Sequence, residues 1–372
     1  MRVGTALPFE QGPALLASLC GLQVAASTVR RLTEAAGAAL CAVTEARWHQ
    51  LADELPEAPA GAEVQQLSVD GAMVPLVGGT WREVRTLALG SVEVTADGGV
   101  RTRELSYFSR MAEAERFADL ATVEVHRRGV EHARVVAAVV DGAAWCQSFI
   151  DLHAPRAVRI LDFPHAVEHL GVVAHAVFGE GSVAAATWLA SQRHTLRHGD
   201  ADVVLRAIAA LPVAQCAEPE RVRAIRDREL GYFTARRAQL AYPALSARGL
   251  PIGSGAVESA NKRVVEARLK GPGMHWAPDQ VNPMLALRGA YCSQQWEPAW
   301  DALSLHQRAG HPTAVPRTVP PAIPVLAPAA DPPRQAPAAR VRTVVNGRPT
   351  RDHPWKQGLA RLQQPTVRPP LA

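Results

Sequence analysis

Lysine is nearly missing from this chain: of its 40 basic residues only three are Lys, at positions 262, 270 and 356. The bias towards Arg is the usual look of a GC-rich bacterial coding sequence. Two of the three lysines stand within nine residues of each other, where a compact point charge is kept against the Arg default. Cysteine is also scarce. The five, at 20, 41, 146, 216 and 292, form no Cys-x-x-Cys pair, which speaks against a zinc ribbon or a disulfide framework and predicts reduced, buried thiols in a cytosolic protein. No run of 18 apolar residues occurs, and no charged segment followed by an apolar one opens the chain, so neither a membrane span nor a signal peptide is indicated.

What is present is a full domain's worth of chain, 372 residues, with a net charge of +5. The location of that charge matters more than its size. Residues 301 to 372 hold ten Arg/Lys against three Asp/Glu, so the preceding 300 residues sum to −2. A polyanion-binding surface must therefore be a local stripe on the body, or else the tail. Fourteen of the 29 prolines fall in the same last stretch, which predicts a Pro/Arg-rich disordered tail from about residue 306.

Near the N-terminus, Leu15, Leu16, Leu19, Val24, Val29 and Leu32 surround Gly21, and Ser27 and Thr28 stand where a second helix carrying Arg30 and Arg31 would be capped. That is the outline of a helix-turn-helix, and equally of an ordinary helical hairpin. Helix is expected to about residue 55, with a linker from Pro56 to Gly61. Three strands then follow, from Val64 with Asp70 near its middle, over Trp81–Val94, and from Val100 to Phe108, joined by Gly-rich or Asp-Gly turns. A helix across 111 to 129 leads into a Val-rich strand at 135 to 140 that stops at Asp141-Gly142; a second apolar strand stops at Asp162. Carboxylates at strand ends can build a hard-metal site. They can equally start a turn, as Asp141 could, or cap a helix, as Asp162 could.

Three strands, helix, strand, helix, strand is the order of a ribonuclease-H-like α/β fold, a mixed sheet in which the first and fourth strands are neighbours. From residue 165 to about 248 the pattern is helical throughout, with no acid-bearing strand, and reads as an all-helical insertion. A Gly-rich loop at Pro251–Gly255 then opens a helix on which Glu258, Asn261 and Lys262 share a face, followed by Arg263, Arg268 and Lys270. One acid among several bases suits a metal-bound phosphate; a plain Glu-Lys helix pair has the same spacing. The expected segments are thus 1 to 60 (helix-turn-helix-like), 61 to 165 (first part of the core), 166 to 250 (insertion), 251 to 305 (closing helices) and 306 to 372 (tail).

The residues Val-Asp70-Gly, Val-Val-Asp141-Gly-Ala-Ala-Trp, Ile-Leu-Asp162-Phe-Pro-His165-Ala-Val-Glu-His-Leu and Gly-Ser-Gly-Ala-Val-Glu258-Ser-Ala-Asn-Lys together resemble a DDE transposase of bacterial insertion sequences, of the Kra-type family related to Mutator-like elements. The likeness spans about residues 10 to 300. It implies a ribonuclease-H-like catalytic domain that cuts and joins DNA at terminal inverted repeats. Asp70, Asp141 and Glu258 would be the catalytic triad and metal ligands, holding two Mg²⁺ ions roughly 4 Å apart, with Mn²⁺ able to substitute. Asp162 and His165 match the supporting Asp-x-x-His signature. Lys262, Arg263, Arg268 and Lys270 become candidate phosphate contacts, with Arg30 and Arg31 as further DNA contacts. The implied partners are double-stranded DNA, at element ends and target, and further copies of the chain in a dimer or higher oligomer. The implied setting is the nucleoid of the bacterial cytoplasm, with no membrane.

The likeness also departs from the family at Pro164, where relatives often carry an aromatic, and in the short stretch ahead of the helix-turn-helix-like segment. An inactive or truncated transposase-derived DNA-binding protein is therefore the main alternative. A zinc peptidase using His165-x-x-Glu168-His169 is the lesser one, and it leaves Asp70, Asp141 and Glu258 without a role.

Overall fold

A computed structural model describes residues 1–54 and 56–309, together with the short segments 344–345 and 348–349. The described residues up to 309 belong to one compact unit. In chain order it comprises α1 (Arg2–Ala6), α2 (Gly12–Cys20), α3 (Ala26–Glu54), β1 (Val64–Pro75), β2 (Trp81–Val94), β3 (Val100–Arg110), α4 (Ala114–Arg127), β4 (Val135–Val140), α5 (Ala144–His153), β5 (Val158–Leu161), α6 (Phe163–Phe178), α7 (Val183–His198), α8 (Ala201–Ala209), α9 (Pro219–Ala235), α10 (Tyr242–Ala247), α11 (Gly255–Ala260), α12 (Ala267–Leu269), α13 (Pro278–Cys292) and α14 (Trp296–Ala309). In the second unit, Val344–Val345 and Arg348–Pro349 pair as two short antiparallel strands. The expected disordered tail otherwise lies outside the described residues.

The sheet runs β3-β2-β1-β4-β5. β1, β2 and β3 form an antiparallel meander, whereas β4 is parallel to β1 and β5 parallel to β4. The first and fourth strands are therefore neighbours, as the strand order in the sequence predicts. The fold is α/β with a mixed, open five-stranded sheet.

Alternation along the strands sorts the core into two faces. Leu67, Val69, Ala138 and Val140 point to one face, where α4 and α5 cover them with Phe117 and Phe149. Ala72, Val74, Val84 and Ala88 point to the other, beneath Val257, Val264 and Leu269 of the closing helices. Ala137, Val139 and Ile160 share a third cluster with Leu170, Phe233 and Tyr242, which fastens the helices between 163 and 247 to the β4–β5 side of the sheet. At ~25 cal/mol per Å² buried, continuous apolar contact of this kind makes the helical insertion a structural extension of the sheet and not a loose appendage.

The second helix of the expected pair ends at Glu54, as the sequence predicts. α3 runs 29 residues, and Gly37 lies so close to the Pro283 carbonyl of α13 that a Cβ would collide with it. A helix docked along the core in this way is longer than the second helix of a compact helix-turn-helix. All five cysteines are free, as expected, but burial is uneven: Cys146 and Cys292 are buried, Cys41 and Cys216 are partly covered, and Cys20 is exposed. Among the described residues no helix is long and apolar enough to cross a membrane.

Candidate active site

The parallel side of the sheet brings three acids to its carboxyl end. Leu67 of β1 and Ala138 of β4 are the last pair of their ladder, and three residues beyond it on each chain segment come Asp70 and Asp141, whose charge acts on Asp70. Val140 of β4 is opposite Leu161 of β5, so the next step sets Asp141 level with Asp162, whose N–H donates to the Val140 carbonyl (2.9 Å). Asp70 is also paired across β2 with Thr86, and Thr86 with Ser109 of β3. Thr86 and Ser109 are buried and hydrogen-bonded to each other at 2.9 Å, so the neutral end of this row is closed off and its acidic end lies where the parallel strands stop. The carboxyl ends of parallel strands are where α/β sheets bind ligands.

Each acid is held by its own local chemistry. Asp70 Oδ1 accepts from the Gly71 N–H (2.7 Å) and Oδ2 from Asn261 Nδ2 (2.8 Å). Burial raises its pKa, and the charges of Asp141 and Glu258 push it further the same way, against the pull of those two hydrogen bonds. Asp141 Oδ1 accepts from the Ala143 N–H (2.8 Å) and the Cys146 thiol (3.4 Å). Cys146 is held far above the usual thiol range by burial and by the Asp141 charge, so it serves as a neutral donor and not as a nucleophile.

Asp162 is a brace. Its Oδ2 caps α6 by accepting from the His165 N–H (3.1 Å), and its Oδ1 accepts from the Ser254 N–H (2.6 Å) at the start of α11. The carboxylate is 3% exposed, and burial raises its pKa, with Glu258 contributing in the same direction. Asp162 thus ties the end of β5 to the loop that delivers Glu258. Glu258 sits in the first turn of α11 with Ser254 Oγ 3.5 Å from its Oε1.

Directly after Glu258 the helix widens into a π-helical turn, Asn261–Glu266. Such turns often occur at functional sites, because the extra residue re-aims side chains. Here it turns Asn261 inward, buried against Asp70, while its Oδ1 finds no partner.

The helical insertion reaches the same place. Tyr232 of α9 donates its hydroxyl to the Asp141 carbonyl (2.5 Å), and Arg236 donates to the Gly142 carbonyl (2.6 and 3.1 Å). Gly142 has φ +85°, and a Cβ there would strike the Arg236 side chain, so the Asp141-Gly142 turn needs glycine on both counts. Behind it, the His169 ring stacks on Tyr232 at 3.9 Å and bonds Glu229 through Nδ1 at 2.5 Å, with Arg228 also on Glu229. Sequence reasoning missed Tyr232 and Arg236, and it placed Asn261 beside Glu258 without its contact to Asp70. No short motif gives these contacts, because the partners lie more than 90 residues away.

The basic residues divide. Lys262 and Arg263 are exposed on the π-helical turn after Glu258, where Arg263 lines a cleft with Tyr107 and Arg128; Arg31 is exposed on α3, and Arg30 is exposed with Glu34 at 2.8 Å. Lys270 is paired with Glu266 at 2.9 Å. Arg268 corrects the sequence expectation. It is 2% exposed, its guanidinium donates to the Gly4 carbonyl and lies over Phe9 and Trp276, and burial lowers its pKa to about 10. Arg268 fixes the N-terminus to the closing helices and is out of reach of DNA phosphates.

Among the described residues no group of three or more His, Cys, Asp or Glu side chains is arranged as a ready metal cage. His165 Nδ1 lies 3.3 Å from Glu168, while His169 turns to Glu229, so the two histidines of the zinc-peptidase reading have different acidic neighbours. Compared with protein-family models and with curated proteins, the chain matches none.

Proposed function

We propose that this protein is a DDE-type DNA transposase, with a ribonuclease-H-like core, that cuts element ends and joins them to target DNA in bacterial cytoplasm. The observation that carries the reading is that Asp70 and Asp141 follow three residues beyond the last pair of two parallel neighbouring strands, with the charges of Asp141 and Glu258 both close enough to raise the pKa of Asp70. Asp70 and Asp141 are half-buried and Glu258 is exposed; carboxylates gathered closely enough to repel one another cost stability, and proteins keep such arrangements chiefly where chemistry requires them.

The donor set fits Mg²⁺. Three carboxylates and the unpartnered Asn261 Oδ1 are all hard oxygen donors, and a divalent ion would relieve the repulsion that raises Asp70. Asp70, Asp141 and Glu258 would hold the metal, with Mn²⁺ able to substitute. When bound, the metal supplies Lewis-acid stabilisation of the phosphoryl oxygens and a lowered pKa for an attacking water or 3′-hydroxyl.

The chain's own residues supply the rest. Tyr232 and Arg236 fix the backbone on which Asp141 projects, and Asp162, seated with the His165 N–H, fixes the loop before Glu258. Lys262 and Arg263, exposed on the turn that follows Glu258, contact DNA phosphates without reading sequence; Arg30 and Arg31 supply a second basic contact on α3. Hydrolysis and strand transfer share one set of ligands, because only the nucleophile changes. Two copies of the chain, one on each DNA end, satisfy the need to bring both ends together.

The test is cleavage and joining of duplexes that carry the genomic repeats flanking the gene. The wild-type chain is expected to nick and join them with Mg²⁺ and not with Ca²⁺, and Asp141→Asn to bind the same DNA without cutting it. Cleavage retained in Asp141→Asn removes Asp141 from the site. A wild-type protein that binds the ends but never cuts them favours the inactive, DNA-binding alternative.

A further inference from the structure

Arg110, at the last residue of β3, is 4% exposed, yet among the described residues no carboxylate lies within ion-pair distance of it. Its guanidinium donates to the Ser109 carbonyl (2.9 Å) and Thr44 Oγ1 (3.2 Å) and lies over the Phe108 ring at 4.6 Å. The nearest acid in its field, Glu45, is engaged by Arg116. Two neutral hydrogen bonds do not offset the cost of removing a cation from water, which is several kcal/mol on general grounds.

Arg110 lines a cavity of about 150 Å³ between α3, β3, α4, α13 and α14. Arg47 and Arg127 line it too, and the one acid on its wall, Glu124, is already held by Arg127 through two hydrogen bonds of 2.6 and 2.9 Å. The wall therefore carries two cations, Arg47 and Arg110, that no carboxylate neutralises among the described residues. Thr44 and Ser109 line the same space, with the Ser109 hydroxyl bonded to Thr86, and small residues of α13 and α14 close the far side.

We infer that this cavity is a binding site for a phosphate dianion, either inorganic phosphate or the phosphomonoester end of a larger molecule. Two uncompensated positive charges match the charge of that group at neutral pH, the volume accommodates a tetrahedral oxyanion with a few waters, and a guanidinium offers a planar fork of donors for its oxygens. The site is separate from the acidic cluster. It lies at the meander edge of the sheet, beyond β2 and β3 from Asp70. It does not rest on the proposed transposase activity.

The experiment is isothermal titration and thermal unfolding of the full chain with inorganic phosphate, against chloride of matched ionic strength. Wild type is expected to bind one phosphate per chain and to unfold at a temperature that rises with phosphate concentration. Arg110→Met keeps the apolar contact with Phe108 and removes the charge. It should lose the titration signal, and in chloride it should melt no lower than wild type. General salting effects of phosphate act on both proteins alike, so only the difference between them counts. Arg47→Gln, at an exposed position, should fold normally and bind phosphate about tenfold more weakly, the size of one charged hydrogen bond.

Duplexes with and without a 5′-phosphate separate the two sources: competition by the phosphorylated end alone assigns the site to DNA ends, and no competition assigns it to free phosphate. An Arg47→Gln protein that binds phosphate as wild type does, or a wild type that binds none at about 10 mM, overturns the proposal.

Discussion

Replacing Asp70 by Asn should make the protein more stable while ending its chemistry. In the wild type three influences raise the pKa of Asp70, burial first and then the charges of Asp141 and Glu258, and they outweigh the hydrogen bonds from Gly71 and Asn261. An amide at position 70 removes the charge and keeps the shape. The Gly71 N–H still finds an oxygen. Asn261, whose Oδ1 is unpartnered, can rotate its amide by half a turn to accept from the side-chain N–H introduced there, so neither hydrogen bond is lost.

What disappears is desolvation and repulsion; what weakens is the charge-assisted character of two hydrogen bonds. Because the wild-type shift is upward, the first effect is the larger, and a gain on the order of 1 kcal/mol is expected at pH 7, about 2 °C or more in melting temperature. The pH dependence follows from the sign. A carboxyl whose folded pKa lies above its unfolded value of 3.8 costs stability above the folded pKa, and this cost is relieved as pH falls towards 3.8. The advantage of Asp70→Asn should therefore be full at neutral pH and fade on acidification, in melts recorded from about pH 4 to 8 on the metal-free protein. An Asp70→Asn protein that melts below wild type at pH 7 would show that the acids do not repel, and the case for a metal between them would fall with it.

Tyr232→Phe removes the hydroxyl that holds the Asp141 carbonyl and little else. It should cost about 1 kcal/mol of stability, slow Mg²⁺-dependent cleavage by about tenfold to a hundredfold and raise the Mg²⁺ concentration needed for half-maximal rate, with DNA affinity unchanged. An unchanged metal dependence would leave Tyr232 as a packing residue. Arg268→Ala should destabilise the fold by about 3 kcal/mol in a denaturant titration, since the Gly4 carbonyl and the two aromatic faces lose their partner, and should leave the salt dependence of DNA binding as it was. A reduced salt slope would return Arg268 to the DNA surface.

The strand order was legible because apolar runs bounded by Gly-rich or Asp-Gly turns mark the strands of a buried sheet; Trp81–Val94 and Val135–Val140 match their expected bounds. That Asp70 lies on, and Asp141 just after, neighbouring strands was implied by that order, and β1 and β4 are paired in parallel. Three other features had no local signal. The π-helical turn leaves helix periodicity almost intact in the sequence, yet it decides that Asn261 faces Asp70. Arg268 reads as one more base on a basic helix, and only the fold reveals Phe9 and Trp276 on either side of it. The hold of α9 on the Asp141-Gly142 turn joins residues more than 90 apart, through a tyrosine and an arginine of no distinctive spacing.

The central claim is that Asp70, Asp141 and Glu258 act as one metal-dependent unit on DNA, and cleavage rates of Asp70→Asn, Asp141→Asn, Glu258→Gln and the triple variant measure it directly. Groups that share one step are grossly non-additive, so each single change should lower the Mg²⁺-dependent rate by at least about a thousandfold, and the triple variant should be little worse than any of them. Losses that multiply across the three sites, or a single variant that cuts at the wild-type rate, would contradict the claim.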